Sequence, residues 1–133
     1  MNDSVDREYL TIVLDRFQKT VPEVTHVVAV ASDGLLLATT SSLDQEQAER
    51  VAAASSGFCG LAKQVNADVG GKGVRAVCIE MAVGSVLIVE TSDGVKLATA
   101  VLADGDLDHV RHQLGLLSGK VSGNALTAAV CHG

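Results

Sequence analysis

Aromatic residues are almost missing from this chain: 133 residues include no tryptophan, one tyrosine and two phenylalanines. A core must then be built from Val, Leu, Ile and many Ala, which favours thin, closely packed layers. Without ring faces there is no platform for stacked bases, and ten basic against sixteen acidic residues repel a phosphate backbone. Both features argue against nucleic-acid binding. Long apolar runs are absent too. None approaches the ~20 residues that span a bilayer, so no direct membrane insertion is expected. The first residues, Asn2-Asp3-Ser4-Val5-Asp6-Arg7, are polar and of mixed charge, unlike a signal peptide. Three cysteines, Cys59, Cys78 and Cys131, make an odd number without framework spacing, which points to reduced thiols in the cytoplasm. Cys59 and Cys78 read as small core residues. With 47% hydrophobic and 20% charged residues, the chain suits one globular domain burying about two-thirds of its unfolded surface.

Proline occurs once, and the longest stretch free of breakers is the middle one. Ser42 to about Ala67 reads as a helix, with Ser42 and Gln45 at the spacing of a capping box. Ala48, Val51, Ala52, Ser55, Phe58, Ala62 and Val65 recur at helical steps and form one face. A second stripe of mostly small residues lies beside it: Ala53, Ala54, Gly57, Gly60, Leu61 and Gln64. Two glycines inside a helix cost about 1 kcal/mol each relative to alanine, and small residues let another backbone approach. Two readings stay open on composition: a helix with one side on its own sheet and the other on a partner, or a helix fully buried in a monomer.

A first helix is expected from about Ser4 to Thr20, capped by Asp3 or Ser4. Val5, Tyr9, Ile12, Val13 and Phe17 give its apolar face, widened by Leu10 and Leu14, and Pro22 stops it. Val24 to Ser32 reads as a strand covered on both faces. Ser32-Asp33-Gly34 followed by Leu35 to Thr39 has a counterpart sixty positions on, where Ser92-Asp93-Gly94 precedes Val95 to Thr99. In both, Asp-Gly between apolar runs predicts a two-residue type I′ hairpin turn. Val74 to Met81, Ser85 to Thr91 and Val95 to Ala103 read as three further strands, with Ala98 and Ala100 leaving room for a helix. A last helix starts near Asp104 or Asp106 and carries Leu107, Val110, Leu114 and Leu117, with Gly119 as its stop. Residues 1–119 then form the domain and 120–133 a flexible tail. The order α-β-β-α-β-β-β-α with consecutive hairpins gives an antiparallel sheet between helices, a three-layer α-β-α sandwich of the α/β class.

This order resembles the roadblock/LC7 family. The resemblance is carried by Val21-Pro22-Glu23-Val24, by Val27 to Ala31 leading into Ser32 to Ala38, and by Ser85 to Val89. It is nearest to bacterial members found beside small Ras-like GTPases, above all in actinobacterial operons that also encode a sensor kinase. The resemblance implies a roadblock/profilin-like sheet ordered 2-1-5-4-3, with the first and third helices on one face and the middle helix on the other. It also implies a homodimer, in which two middle helices pack together and the third strands meet edge to edge. That adds Arg75, Val77 and Ile79 to the second stripe as dimer-interface residues. The expected function is a non-enzymatic dimeric scaffold that binds a small Ras-like GTPase and modulates its nucleotide cycle. An operon-encoded sensor kinase is a further partner, with recruitment to the membrane through partners. The exposed polar side of the middle helix, including Glu46, Gln47 and Arg50, is the expected partner-binding surface.

Other chemistry finds little support. Gly70-Gly71-Lys72-Gly73 lacks the Ser or Thr of a phosphate loop and runs from helix to strand, so it reads as a connector. His109 and His112 stand at i, i+3, but a metal would need a third ligand such as Cys131 or His132 from the tail. Asp104, Asp106 and Asp108 fit the charge of a helix N-terminus better than acid–base work. No serine sits in a nucleophile-elbow context. Arg50 and Arg75 are the candidates for a trans-acting arginine, and Lys72 and Arg75 for gripping an acidic partner. No cofactor is expected. The alternative function is a small-molecule-sensing domain, which would need a pocket of several hundred Å³ between helix and sheet.

Overall fold

The computed structural model of the protein describes residues 2–121. Its elements are α1 (Asn2–Thr20), β1 (Val24–Val30), β2 (Leu36–Thr39), α2 (Gln45–Val69), β3 (Val77–Glu80), β4 (Ser85–Glu90), β5 (Lys96–Val101) and α3 (Leu107–Val121). The sheet is antiparallel throughout and ordered β2-β1-β5-β4-β3. Register shows how it divides the core. Thr39, Val28, Ala98, Ile88 and Val77 form one row across all five strands, and Val28, Ala98, Ile88 and Val77 pack with Ala48, Ala52 and Cys59 of α2. One residue along, Ala38, Ala29, Leu97 and Val89 face the other way, towards Leu10, Leu14 and Phe17 of α1 and Val110, Leu114 and Leu117 of α3. Period-two alternation thus feeds two cores, and the result is the three-layer sandwich, with one helix above the sheet and two below.

Both hairpin turns are one residue longer than the Asp-Gly pairs predict. Type I′ needs positive φ at both central residues, and only the glycines have it, at 91° for Gly34 and 90° for Gly94. Gly34 N–H donates to Ala31 O at 2.9 Å while Ala31 N–H donates to Leu35 O at 2.8 Å. Gly94 N–H and Thr91 N–H repeat this with Thr91 O and Val95 O at 3.0 and 2.8 Å. Each loop is therefore a three-residue turn ending in a left-handed glycine. Asp33 Oδ1 accepts from Leu35 N–H at 3.0 Å, the local bond that suits aspartate to this place.

The helices depart from the sequence reading in phase and in ends. On α1, Leu10, Leu14 and Phe17 are buried, whereas Tyr9 and Ile12 are exposed, so the core face is turned away from the predicted one. The helix begins at Asn2, which puts Asp3 and Ser4 inside its first turn instead of at a cap. On α3, Asp106 Oδ1 accepts from His109 N–H at 3.1 Å and caps the N-terminus. Gly119 does not stop that helix; it continues to Val121, whose side chain is fully buried. Cys131, His132 and the rest of the predicted tail beyond Val121 lie outside the described residues.

Candidate interaction surface on the middle helix

The start of α2 is set by Asp44, not by Ser42. Asp44 Oδ1 accepts from Gln47 N–H at 2.7 Å, and Gln47 Oε1 accepts from Asp44 N–H at 3.4 Å, a reciprocal capping box two residues later than predicted. Ser42 is held by tertiary bonds. Its Oγ donates to Thr25 O at 3.0 Å and lies 2.8 Å from Thr40 Oγ1 and 2.7 Å from His26 Nδ1. Since the one serine proton goes to Thr25, Thr40 must donate to Ser42, and its own oxygen accepts from Val27 N–H at 3.1 Å. His26 Nδ1 must then carry a proton as well. The imidazole cannot act as a base towards Ser42, and this close Ser–His pair is structural. Beside it, Asp15 of α1 accepts from Ser41 N–H and Oγ, both at 2.9 Å, and ties the loop before α2 to the opposite layer.

At its other end α2 closes on Gly70, in the left-handed conformation at φ 73°, and Asn66 Oδ1 accepts from Gly73 N–H at 2.9 Å. Gly70-Gly71-Lys72-Gly73 is therefore a helix C-terminal connector. It offers no helix N-terminus to a phosphate.

Between these caps, the face towards the sheet is Ala48, Ala52, Ser55 and Cys59, with Val51 and Ala62 half-buried. Phe58 and Val65, predicted on this face, point outward and are 44% and 60% exposed. They join Ala53, Ala54, Gly57, Gly60, Leu61 and Gln64, all exposed, in one open stripe continued by Val69. The stripe is apolar for most of its length, with large side chains (Phe58, Leu61, Val65) at three- and four-residue steps. Its two glycines have no steric reason among the described residues: a Cβ on Gly57 or Gly60 would meet nothing of them within 4 Å. A helix that carries exposed Phe, Leu and Val beside unneeded glycines has the composition of a contact surface.

The remaining predicted residues sit around this stripe. Glu46 and Arg50 form an i, i+4 pair at 3.0 Å, exposed on both sides and worth about 0.3–0.5 kcal/mol. Gln47 is engaged in the cap. Strand β3 is an edge and has four residues, shorter than the predicted Val74 to Met81. Val77 and Ile79 lean into the α2-side core, half-buried, while Cys78, predicted as a core residue, is exposed on the other face. Arg75 is exposed and makes no ion pair among the described residues. It borders a hollow of about 20 Å³ between Cys59, Lys63, Ile88 and Glu90, bridged by a 3.0 Å Lys63–Glu90 pair. That space holds about one water and is too small for a ligand. Burial pushes the Cys59 thiol up from its ordinary pKa, and the Glu90 carboxylate adds to the rise.

Elsewhere, His109 and His112 are both exposed on α3, and no group of three His, Cys, Asp or Glu gathers among the described residues. No described helix is long and apolar enough to cross a membrane.

The open stripe and the sheet order can be set against known proteins. Residues 11–103 match the Roadblock/LC7 domain model. Among solved structures, a Roadblock/LC7 domain from Streptomyces avermitilis is 24% identical with a TM-score of 0.78, over 84% of this chain and 92% of that one. MglB of Myxococcus xanthus is 18% identical at a TM-score of 0.76, over 85% and 91%. The gliding protein mglB of Thermus thermophilus is 12% identical at 0.74, over 88% of each chain. Comparison with curated proteins gives no match. The matched segment holds every strand and the whole of α2, and the chain belongs to the Roadblock/LC7 domain family.

Proposed function

We propose that this protein is a non-enzymatic homodimeric regulator that binds a small Ras-like GTPase and modulates its nucleotide cycle. The observation that carries the proposal is the open stripe of α2, where exposed Phe58, Leu61 and Val65 flank glycines that nothing among the described residues requires. Two copies of α2 laid against each other would cover the large side chains and give the small ones a purpose. Edge strand β3, with Val77 and Ile79 beside Arg75, extends that seam and would be covered by strand pairing. The GTPase follows from the family, whose bacterial members accompany small Ras-like GTPases.

A regulator of this kind needs no catalytic residue of its own. It shifts the GTPase between conformations by its differential affinity for them; a hundredfold preference corresponds to about 2.7 kcal/mol. Glu46, Gln47 and Arg50, at the N-terminal end of α2, would border the paired helices and touch the client. Arg50 would have to leave Glu46 to serve as a trans-acting arginine, at a cost of a few tenths of a kcal/mol. Arg75 starts unpaired.

The deciding experiment is a pull-down of the genomically adjacent small GTPase, loaded with GDP and with a non-hydrolysable GTP analogue, followed by single-turnover hydrolysis with and without this protein. Binding that differs between nucleotide states is expected. Absence of binding in both states rejects the proposal.

A further inference from the structure

A second concavity lies on the other side of the sheet. It is an open groove of about 470 Å³ between α1 and α3. Its floor is Phe17 and Leu117, both buried, and its walls are Tyr9, Ile12 and Leu116, which stay 39%, 58% and 59% exposed. These two helices therefore bear more apolar surface than the core beneath them uses. The polar lining is one-sided. Arg16 and Lys120 stand at the groove, no carboxylate lines it, and neither cation makes an ion pair among the described residues. In a chain with a net charge of −6, a groove whose charged lining residues are both cations runs against the overall balance.

We infer that the α1–α3 groove is a second docking surface, built to receive an amphipathic helix from a partner protein whose apolar face is flanked by Asp or Glu. Length suffices: Tyr9 to Thr20 is about three helical turns, or ~17 Å, more than the ~10.5 Å over which a docked helix presents i, i+3, i+4 and i+7 side chains. Charge selects among the occupants. Residues 122–133 contain no Asp or Glu and would leave both cations unmatched. A second copy of the same face would bring two more cations and no carboxylate to match them. An acidic-flanked helix satisfies the apolar walls and the cations together. This surface and the α2 stripe lie on opposite sides of the sheet, so the inference stands or falls independently of the GTPase proposal.

The test is panning of a random peptide library, about sixteen residues long, on the full chain, with counter-selection on the Ile12→Glu/Leu116→Glu variant. Both positions are exposed, and an unchanged thermal melt shows that the variant folds. Recovered peptides are expected to share apolar residues at i, i+3, i+4 and i+7 with acidic flanks. They should lose at least about tenfold in affinity on Arg16→Glu/Lys120→Glu and regain it when their acidic residues are changed to lysine. Neutral or basic peptides, equal binding to wild type and the Ile12→Glu/Leu116→Glu variant, or no enrichment would overturn the inference. So would a rise of about tenfold or more in peptide affinity on Leu126→Glu/Val130→Glu, which would identify residues 122–133 as the occupant.

Discussion

Gly57 is the position at which folding and the proposed association can be tested apart. It stands midway along α2, and a Cβ there meets nothing of the described residues within 4 Å. In an isolated protomer, Gly57→Leu exchanges a poor helix former for a good one and should stabilise the fold by up to about 1 kcal/mol. In a seam of two α2 helices the same leucine lies where two backbones approach. Overpacking costs about 1–3 kcal/mol per site, and two-fold symmetry counts it twice, giving ~2–6 kcal/mol against the dimer. At about 1.4 kcal/mol per tenfold, the dissociation constant should rise by roughly 1.5 to 4 orders of magnitude. Light scattering should find the wild type at twice 13.7 kDa and Gly57→Leu at 13.7 kDa, at one micromolar-range concentration. A melt at a dilution where both are monomeric should show the variant at or above the wild-type midpoint. Two results refute the reasoning: a wild type at 13.7 kDa at every concentration, or a leucine variant whose mass is unchanged.

Three further outcomes are expected. Asp44→Ala removes the capping box and should lower stability by about 1 kcal/mol in denaturant titrations, while Gln45→Ala should leave it within a few tenths, because Gln45 takes no part in the cap. Thr99 is fully buried and its Oγ1 has no partner among the described residues, so Thr99→Val should raise the melting temperature, by an amount equivalent to about 1 kcal/mol; a fall would reveal a hydrogen bond not seen here. The fold prefers Cys59 as the neutral thiol, because burial raises its pKa. That contribution is intact below the unfolded thiol pKa of about 8.5 and is lost as pH rises through the higher folded value, so between those two values stability should fall more steeply in wild type than in Cys59→Ala.

Element order, the hairpins and the two-sided core were legible because period-two runs and Asp-Gly pairs are local signals, whereas the sheet order, with β1 beside β5, was implied only by the family resemblance. Where the sequence misled, an environment distant in sequence had the deciding say. Ser42-x-x-Gln45 and Asp44-x-x-Gln47 fit a capping box equally well, and Ser42 lost the role because Thr25, Thr40 and His26 claim its hydroxyl. The rotation of α2 was hard to read because alanine occurs all round it. Phe58 then looked like core by size, whereas the thin space above the sheet accepts Cys59 and Ala52 instead. Cys78 was misplaced for a simpler reason: on an edge strand, alternation decides which side chain faces the layer above, and its phase was one residue out. Gly119 resembled a stop but is continued by Val121, which the α1–α3 core draws in. The second stripe was visible as small residues at helical spacing. Its large members, Phe58 and Val65, were not, and neither was the groove between α1 and α3, which exists only once two helices far apart in sequence lie side by side.

The central pairing of β1 with β5 has a consequence for how the chain reaches its native state. Val30 lies opposite Lys96 and Val24 opposite Val101, so the middle of the sheet closes a loop of more than sixty residues. Each flanking hairpin is local and forms quickly, but their union carries the loop-closure entropy and is slow by comparison. On the ribosome, β1 must wait with one bare edge until nearly the whole domain has been synthesised. During that interval its Val-rich stretch is the segment most open to mispairing with another nascent chain.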